Sequence, residues 1–136
     1  MPCDPDCKSF LGSKGVDPIQ ALGDILMGDV YGHADISING NPYTNAAVSG
    51  AVQGQAITVN DQGAFFNGST PGGQSLTVGP NSLPGGTPGA QAFILLHELG
   101  HNTGVLLNDL GNQNNLNAND ANIQEHCAKT ISSFGP

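Results

Sequence analysis

One short segment, residues 93–101 (FILLHELGH), constrains the fold of this chain more than any other. Its apolar residues predict a buried helix. Thr87 is a good N-cap for that helix, and Pro88 suits its first position, so we expect a helix of about sixteen residues. Because residues four apart lie on one face of a helix, His97 and His101 should present their imidazoles side by side.

This pair of imidazoles, with Glu98 next to the first, is a common arrangement for binding a metal ion and activating a water molecule. Two of the four histidines and one of only two glutamates fall into this spacing, which argues against ordinary helix residues. The HExxH string resembles that of the zincin superfamily of zinc metallopeptidases. The resemblance implies Zn²⁺ as cofactor, His97 and His101 as ligands, and Glu98 as the catalytic base.

A catalytic zinc site needs three protein ligands and one open position. In metzincins the motif continues as HExxHxxGxxH, or ends in Asp. This chain keeps the glycine, Gly104, where a left-handed helix stop is also expected, but it has Leu107 at the last ligand position. No methionine follows Met27, so the methionine turn of metzincins is missing. The chain therefore resembles a minimal zincin without being a standard metzincin.

The nearest carboxylate is Asp109, two residues beyond the metzincin position, and a chain that turns back at Gly104 would bring it to the metal. Gluzincins instead take a glutamate from a second helix, for which Glu125 and Asp120 are candidates. A helix turns about 100° per residue, so Glu125 lies about 200° around the helix from Ile123, on the opposite side. Asp120 lies within about 60° of Ile123, on the same side. We rank Asp109 first, Glu125 second and Asp120 third. The HELGHxxGx4D arrangement also resembles metallopeptidase-like domains of large bacterial surface and repeat proteins.

A peptidase also needs a donor for the oxyanion of its tetrahedral intermediate. The chain has no arginine, so the available side chains are Tyr31, Tyr43, His33 and His126. His126 lies about 60° from the predicted inward face of the closing helix, and we take it as the second catalytic residue. We expect His33 to be structural.

The order of elements predicts a single α+β domain over residues 1–136. A capping box at Asp17 begins a first helix at residues 18–28. Segments rich in Val, Ile, Thr and Phe predict strands at residues 34–38, 46–52, 55–60, 64–67 and 75–78. The Asn-rich residues 108–119 read as loop, and Ile123, Cys127 and Ile131 mark a closing helix. The resemblance implies a zincin-like fold: a small twisted sheet, an N-terminal helix, the HExxH helix and a C-terminal helix.

Charge and composition exclude several classes of function. The net charge is -8 and the chain has no arginine, so we expect neither nucleic acid nor a membrane as partner. Only 10% of residues are charged, and Gly, Asn, Ser and Thr are abundant, which favours a secreted or cell-surface protein. Residues 1–30 have no basic start followed by an apolar segment, so we expect no export signal within them, and no stretch is long enough to span a membrane. We expect a monomer.

Three cysteines, Cys3, Cys7 and Cys127, allow two interpretations. A disulfide from Cys3 or Cys7 to Cys127 would tie the termini together and stabilise a small secreted domain. The alternative is a Cys/His zinc site with Cys3, Cys7 and either His126 or Cys127 as ligands, which we rank lower because the CxxxC spacing lacks a second matching pair.

The predicted function is a metalloendopeptidase that hydrolyses peptide or protein substrates. An extended substrate would add to a strand edge, at residues 75–78 or 55–60. The alternative is a non-catalytic, zinc-stabilised binding domain of a larger secreted or surface protein.

Overall fold

The structure is a computed structural model that describes residues 4–17, 19–20, 31–34, 46–48, 57–109 and 112–134. Within these ranges it has three helices and two small sheets, so the α+β class is confirmed. The elements in chain order are α1 (Pro5–Leu11), β1 (Tyr31–Ala34), β2 (Ala46–Val48), β3 (Ile57–Asn60), β4 (Thr77–Val78), β5 (Leu83–Pro84), α2 (Pro88–Asn102) and α3 (Gln113–Ser132).

Strand β3 is the centre of a mixed three-stranded sheet. It pairs in parallel with β1, placing Tyr31 opposite Ile57, and antiparallel with β2, placing Ala46 opposite Val59. The expected strand at residues 55–60 is therefore present from Ile57, but the idea that it offers a free edge to a substrate is wrong because both of its edges are paired. Strands β4 and β5 form a separate antiparallel ribbon. Helix α2 packs against β2 and against this ribbon.

Helix α2 is the predicted motif helix. Thr87 caps it by accepting a hydrogen bond on Oγ1 from the Ala90 N–H at 3.3 Å, and the helix runs for 15 residues. Phe93, Ile94 and Leu96 are almost completely buried. Burying an apolar side chain of this size contributes about 1.5–3 kcal/mol, so the apolar run before the motif holds the helix in the core. Both ends of the predicted helix are confirmed.

The end of α2 reverses the chain. The Val105 N–H donates to the Gly100 carbonyl at 3.0 Å and the Gly104 N–H donates to the His101 carbonyl at 3.1 Å, which is a Schellman motif with Gly104 at φ +82°. Gly100 lets Leu106 pack directly on the helix, since a Cβ at position 100 would lie 2.7 Å from Leu106 Cγ. The two glycines together turn residues 105–109 back toward the histidines.

Helix α3 contains the predicted stripe of Ile123, Cys127 and Ile131, all buried. The helix starts earlier than predicted, at Gln113, so the expectation of a loop through residue 119 is wrong. Asn119 explains the difference, because its buried side chain hydrogen-bonds the backbone of Leu107 instead of competing for its own helix backbone. Tertiary hydrogen bonds override the low helix propensity of the asparagines.

Helix α1 was not predicted, and it is fastened to α3. Asp4 caps it by accepting from the Asp6 N–H at 3.2 Å on Oδ1, and its Oδ2 accepts from the Thr130 hydroxyl at 3.2 Å. A disulfide joins Cys7 to Cys127 across 120 residues. Of the two alternative partners expected for Cys127, the structure pairs it with Cys7.

The bridge also rules out the cysteine zinc site, because that site needs thiolates and the sulfurs of Cys7 and Cys127 are bonded to each other. Cys3 lies outside the described residues. No helix in the described ranges combines the length and the apolar character needed to cross a bilayer.

Two further predictions differ from the structure or extend beyond it. Residues 64–67, expected as a strand, form turns in which the Asn67 side chain donates to the carbonyls of Asp61 and Gly63 at 2.8 and 3.0 Å. Ile19 and Gln20 have helical backbone, but the rest of the helix predicted at residues 18–28 lies outside the described residues, as do residues 35–38, 49–52 and 55–56 of the predicted strands.

Candidate metal centre

Three side chains converge where the chain turns back on α2. Asp109 Oδ2 lies 2.9 Å from His97 Nε2 and 3.1 Å from His101 Nε2, and the two Nε2 atoms are 3.2 Å apart. The structure therefore places the carboxylate that we ranked first beside both histidines. The helix supplies two of the donor atoms and the reversed loop supplies the third.

The spacing of these atoms suits a metal ion. Two ligands held 2.0–2.1 Å from a tetrahedral zinc ion stand about 3.3 to 3.4 Å apart, so movements of a few tenths of an ångström would seat an ion among them. Two imidazoles and a carboxylate also form a donor set that binds zinc and other first-row transition metals. In the described part of the chain, His97, His101 and Asp109 are the group of three that could hold a metal ion.

A second layer of side chains holds two of the three. Asp120 Oδ1 lies 2.8 Å from His97 Nδ1, on the side of the ring opposite Asp109. Asn119 Nδ2 donates to Asp109 Oδ2 at 2.8 Å. Nδ1 of His101, in contrast, is buried and has no hydrogen-bond partner among the described residues.

The protonation of the centre reflects these contacts. Burial lowers the pKa of His97, but its hydrogen bonds to Asp109 and Asp120 outweigh burial and raise the pKa to about 10. Burial by itself would raise the pKa of Asp109, but hydrogen bonds from His101, His97 and Asn119 hold that pKa well below its usual value. Without a metal, the centre is therefore an imidazolium–carboxylate pair, and a metal ion binding at Nε2 must displace a proton.

Glu98 is buried beside His97 in the same helix turn, with 6% of its surface exposed. Burial raises the pKa of its carboxyl group, and the neighbouring His97 and His101 only partly oppose the shift. A carboxylate with a raised pKa accepts a proton more readily near neutral pH, as general acid–base catalysis requires.

The other candidates lie elsewhere. Asp120, ranked third as a ligand, contacts His97 Nδ1 and not the convergence point of the three ligand atoms. Glu125, ranked second, is exposed on α3. His126 stacks on Phe10 of α1, with ring centroids 4.4 Å apart, and its Nδ1 lies 2.8 Å from Asp6 Oδ1. The structure does not bring His126 to His97, His101 and Asp109, so the expected role of His126 as oxyanion donor gains no support.

The remaining oxyanion candidates lie beyond what the structure describes. Tyr43 is outside the described residues. Tyr31 and His33 are in β1, where the backbone is described and the side chains are not.

Asn119 contacts the candidate centre, although its sequence position had not been singled out. Its signal was present, because Asn119 is four residues before Ile123 and so continues the buried stripe of α3. A polar residue in an apolar stripe needs a hydrogen-bonding partner, and here the partners are the loop and ligand that follow α2.

Comparison with known proteins adds no family. The chain matches no protein-family model, no curated protein and no solved structure. A function can therefore be inferred only from the geometry and chemistry of the centre.

Proposed function

We propose that this chain is a zinc-dependent metallopeptidase with a zincin-like fold. The observation that carries the proposal is the convergence of His97 Nε2, His101 Nε2 and Asp109 Oδ2 within 2.9–3.2 Å of one another, next to the buried Glu98. Two imidazole nitrogens and a carboxylate oxygen that meet at one point, beside a buried glutamate, are the donor set and the base that a hydrolytic zinc site requires.

Each residue has a separate task in this reaction. His97, His101 and Asp109 would hold the ion, and zinc, when bound, supplies a Lewis acid that lowers the pKa of a water molecule. Glu98 takes the proton from the attacking water and delivers it to the leaving amine. The raised pKa of Glu98 favours the first transfer, and the surrounding apolar helix keeps bulk water away from the carboxylate.

An extended peptide would bind along a strand edge near α2. Of the two segments that we considered, β4 remains, because it packs against α2 and pairs with β5 in the described ribbon. The residues before it are already paired, since Ser75 forms a bridge with Ser69 and the Leu76 N–H donates to the Gly68 carbonyl. Strand β2 also packs against α2, at the end of the strand order in the larger sheet. Backbone hydrogen bonding to either edge would bind substrates with little dependence on their sequence.

The alternative is a non-catalytic binding domain that uses zinc for stability. The position of His126 favours it, since the expected oxyanion donor is engaged with Asp6 on α1. In both cases the disulfide supports an oxidising location, so we propose that the domain belongs to a secreted or cell-surface protein. That it acts as a monomer is a separate part of the proposal.

Glu98→Gln separates the two functions. We expect the variant to keep one zinc per chain and to lose hydrolysis of casein by at least about 100-fold, because an amide cannot accept the proton. Glu125→Gln is the matched control: it makes the same change at an exposed position on α3 and should retain activity. Equal turnover by the Glu98 variant and the wild type would exclude Glu98 as the base. A wild type that binds zinc but cleaves neither casein nor a broad peptide library would favour the binding domain.

A further inference from the structure

We infer that Asn119 and Asp120 form a pair of positioning residues through which α3 sets the metal affinity of the centre without supplying a ligand. The two are adjacent in sequence, and each contacts a different ligand residue: Asn119 contacts Asp109, and Asp120 contacts His97. This inference rests on the metal site of the proposed function and concerns what holds that site in shape.

Asp120 fixes the ring of His97. If Nε2 binds a metal ion, the ring proton must be on Nδ1, and Asp120 Oδ1 is 2.8 Å from that nitrogen. A carboxylate in this position selects the required tautomer, prevents the ring from rotating and makes the imidazole a stronger ligand. The Asp120 side chain is 23% exposed, so it can be changed without creating a cavity in the core.

Asn119 fixes the loop that delivers Asp109. Its Oδ1 accepts from the Leu107 N–H at 2.9 Å, while its Nδ2 donates to the Leu107 carbonyl at 2.7 Å and to Asp109 Oδ2 at 2.8 Å. One amide group offers two N–H donors and a carbonyl acceptor, and all three functions are used here. An aspartate at this position would place a second carboxylate against Asp109, so the position requires an amide.

The three ligand residues are not held equally by hydrogen bonds from neighbouring side chains. His101 Nδ1 has no hydrogen-bond partner among the described residues, so within them no bond from α3 reaches the His101 ring, whereas His97 and Asp109 are both contacted from α3. Helix α3 is anchored further along by its buried apolar stripe. Because the paired residues are consecutive on one rigid helix, the position of α3 determines both ligands together.

The test compares zinc dissociation constants of the full chain, measured by competition with a chromophoric chelator. We expect Asp120→Ala and Asn119→Ala each to weaken zinc binding by about 10-fold to 100-fold, as is typical when the support of a metal ligand is lost. Asp120→Asn, which keeps an acceptor for the His97 ring, should restore part of the loss.

Two variants serve as matched controls. Asn115→Ala removes an amide that also ties α3 to the loop, by donating to the Asn108 carbonyl at 2.8 Å, but touches no ligand side chain. Glu125→Ala removes an exposed carboxylate from the same helix. Glu125→Ala should bind zinc within about twofold of the wild type, because Glu125 shares no partner with the site. Asn115→Ala should lose less affinity than Asn119→Ala, because Asn115 holds the backbone next to Asp109 but makes no bond to a ligand side chain. Circular dichroism of the metal-free proteins verifies that α3 remains folded, and the half-buried Asp120 still provides the test if Asn119→Ala does not fold.

Each result has a distinct meaning. Zinc binding by the wild type with unchanged affinity in both variants of the pair would overturn this inference and leave the metal site standing. Equal losses in the pair and in the controls would also overturn it, because the effect would then be general loosening of α3. Absence of zinc binding by the wild type would instead refute the proposed function.

Discussion

His97 and His126 each lie against an aspartate, at 2.9 Å from Asp109 and 2.8 Å from Asp6, yet their surroundings are very different. At His97 a second imidazole approaches the same carboxylate oxygen, and the group is largely buried. At His126 the ring has one carboxylate and lies flat on Phe10, and the Asp6 side chain is 61% exposed.

The comparison shows that a histidine–aspartate contact acquires a function from the donor atoms that converge on it. A lone, solvent-exposed pair contributes about 0–1 kcal/mol and here helps to fasten α1 to α3. Three converging donors kept from water create a site that a metal ion can fill. We call the region around His126, which consists of α1, His126 and the Cys7–Cys127 disulfide, the latch. We expect the latch to govern stability and the metal centre to govern ligand binding.

The largest effect should come from the latch. Replacing Cys7 and Cys127 together by Ser removes a cross-link over 120 residues and should lower the free energy of unfolding by about 4–5 kcal/mol. Urea denaturation in the presence of a chelator measures this change. Zinc affinity of the folded variant should stay within about twofold of the wild type. A folded variant that no longer binds zinc would show that the two regions are not separable.

Removing the aspartate next to each histidine, Asp109 or Asp6, tests the same comparison at the metal centre. Asp109→Ala should weaken zinc binding by more than about 100-fold, since loss of a ligand exceeds the effect typical for its supports. Asp6→Ala should leave zinc binding unchanged and cost about 1 kcal/mol or less of stability. Chelator competition and urea denaturation on both variants provide the two readouts. If Asp109→Ala bound zinc as tightly as the wild type, Asp109 would be a hydrogen-bond partner of the histidines and not a metal ligand.

The pH dependence of zinc binding sharpens the distinction. In the metal-free protein the pKa of His97 is raised from 6.5 to about 10, so its charged pairing stabilises the fold fully below pH 6.5 and is lost as the pH rises through about 10. Zinc must displace that proton, so affinity should rise about tenfold per pH unit across the neutral range. Titrations at three pH values, or calorimetry in buffers of different ionisation enthalpy, measure the slope. An affinity independent of pH would mean that His97 is already neutral.

The sequence predicted the parts of the molecule that depend on local patterns. Thr87, Pro88 and Gly104 defined α2 because caps and left-handed stops are local chemistry. The four-residue spacing placed His97 and His101 on one face for the same reason. Asp109 was chosen from its distance along the chain, and the structure brings it to the two histidines.

The rest depended on contacts between distant segments. Helix α1 is short, and its position depends on Asp4 reaching Thr130 and on the disulfide, neither of which a local pattern reveals. The first turns of α3 are rich in asparagine, so propensity indicated a loop, and only the loop that binds Asn119 accounts for the helix. His126 satisfied the inward-face argument but faces α1 and not the metal centre, because an apolar stripe cannot tell which neighbour a helix face meets.

Zinc analysis of protein purified without added metal tests the central claim most directly. The wild type and His126→Ala should each contain about one zinc per chain, removable by a chelator, whereas a folded protein carrying both His97→Ala and His101→Ala should contain none. Comparable zinc contents in the three proteins, or no zinc binding by the wild type even when the metal is supplied, would contradict the claim that His97, His101 and Asp109 form a metal centre.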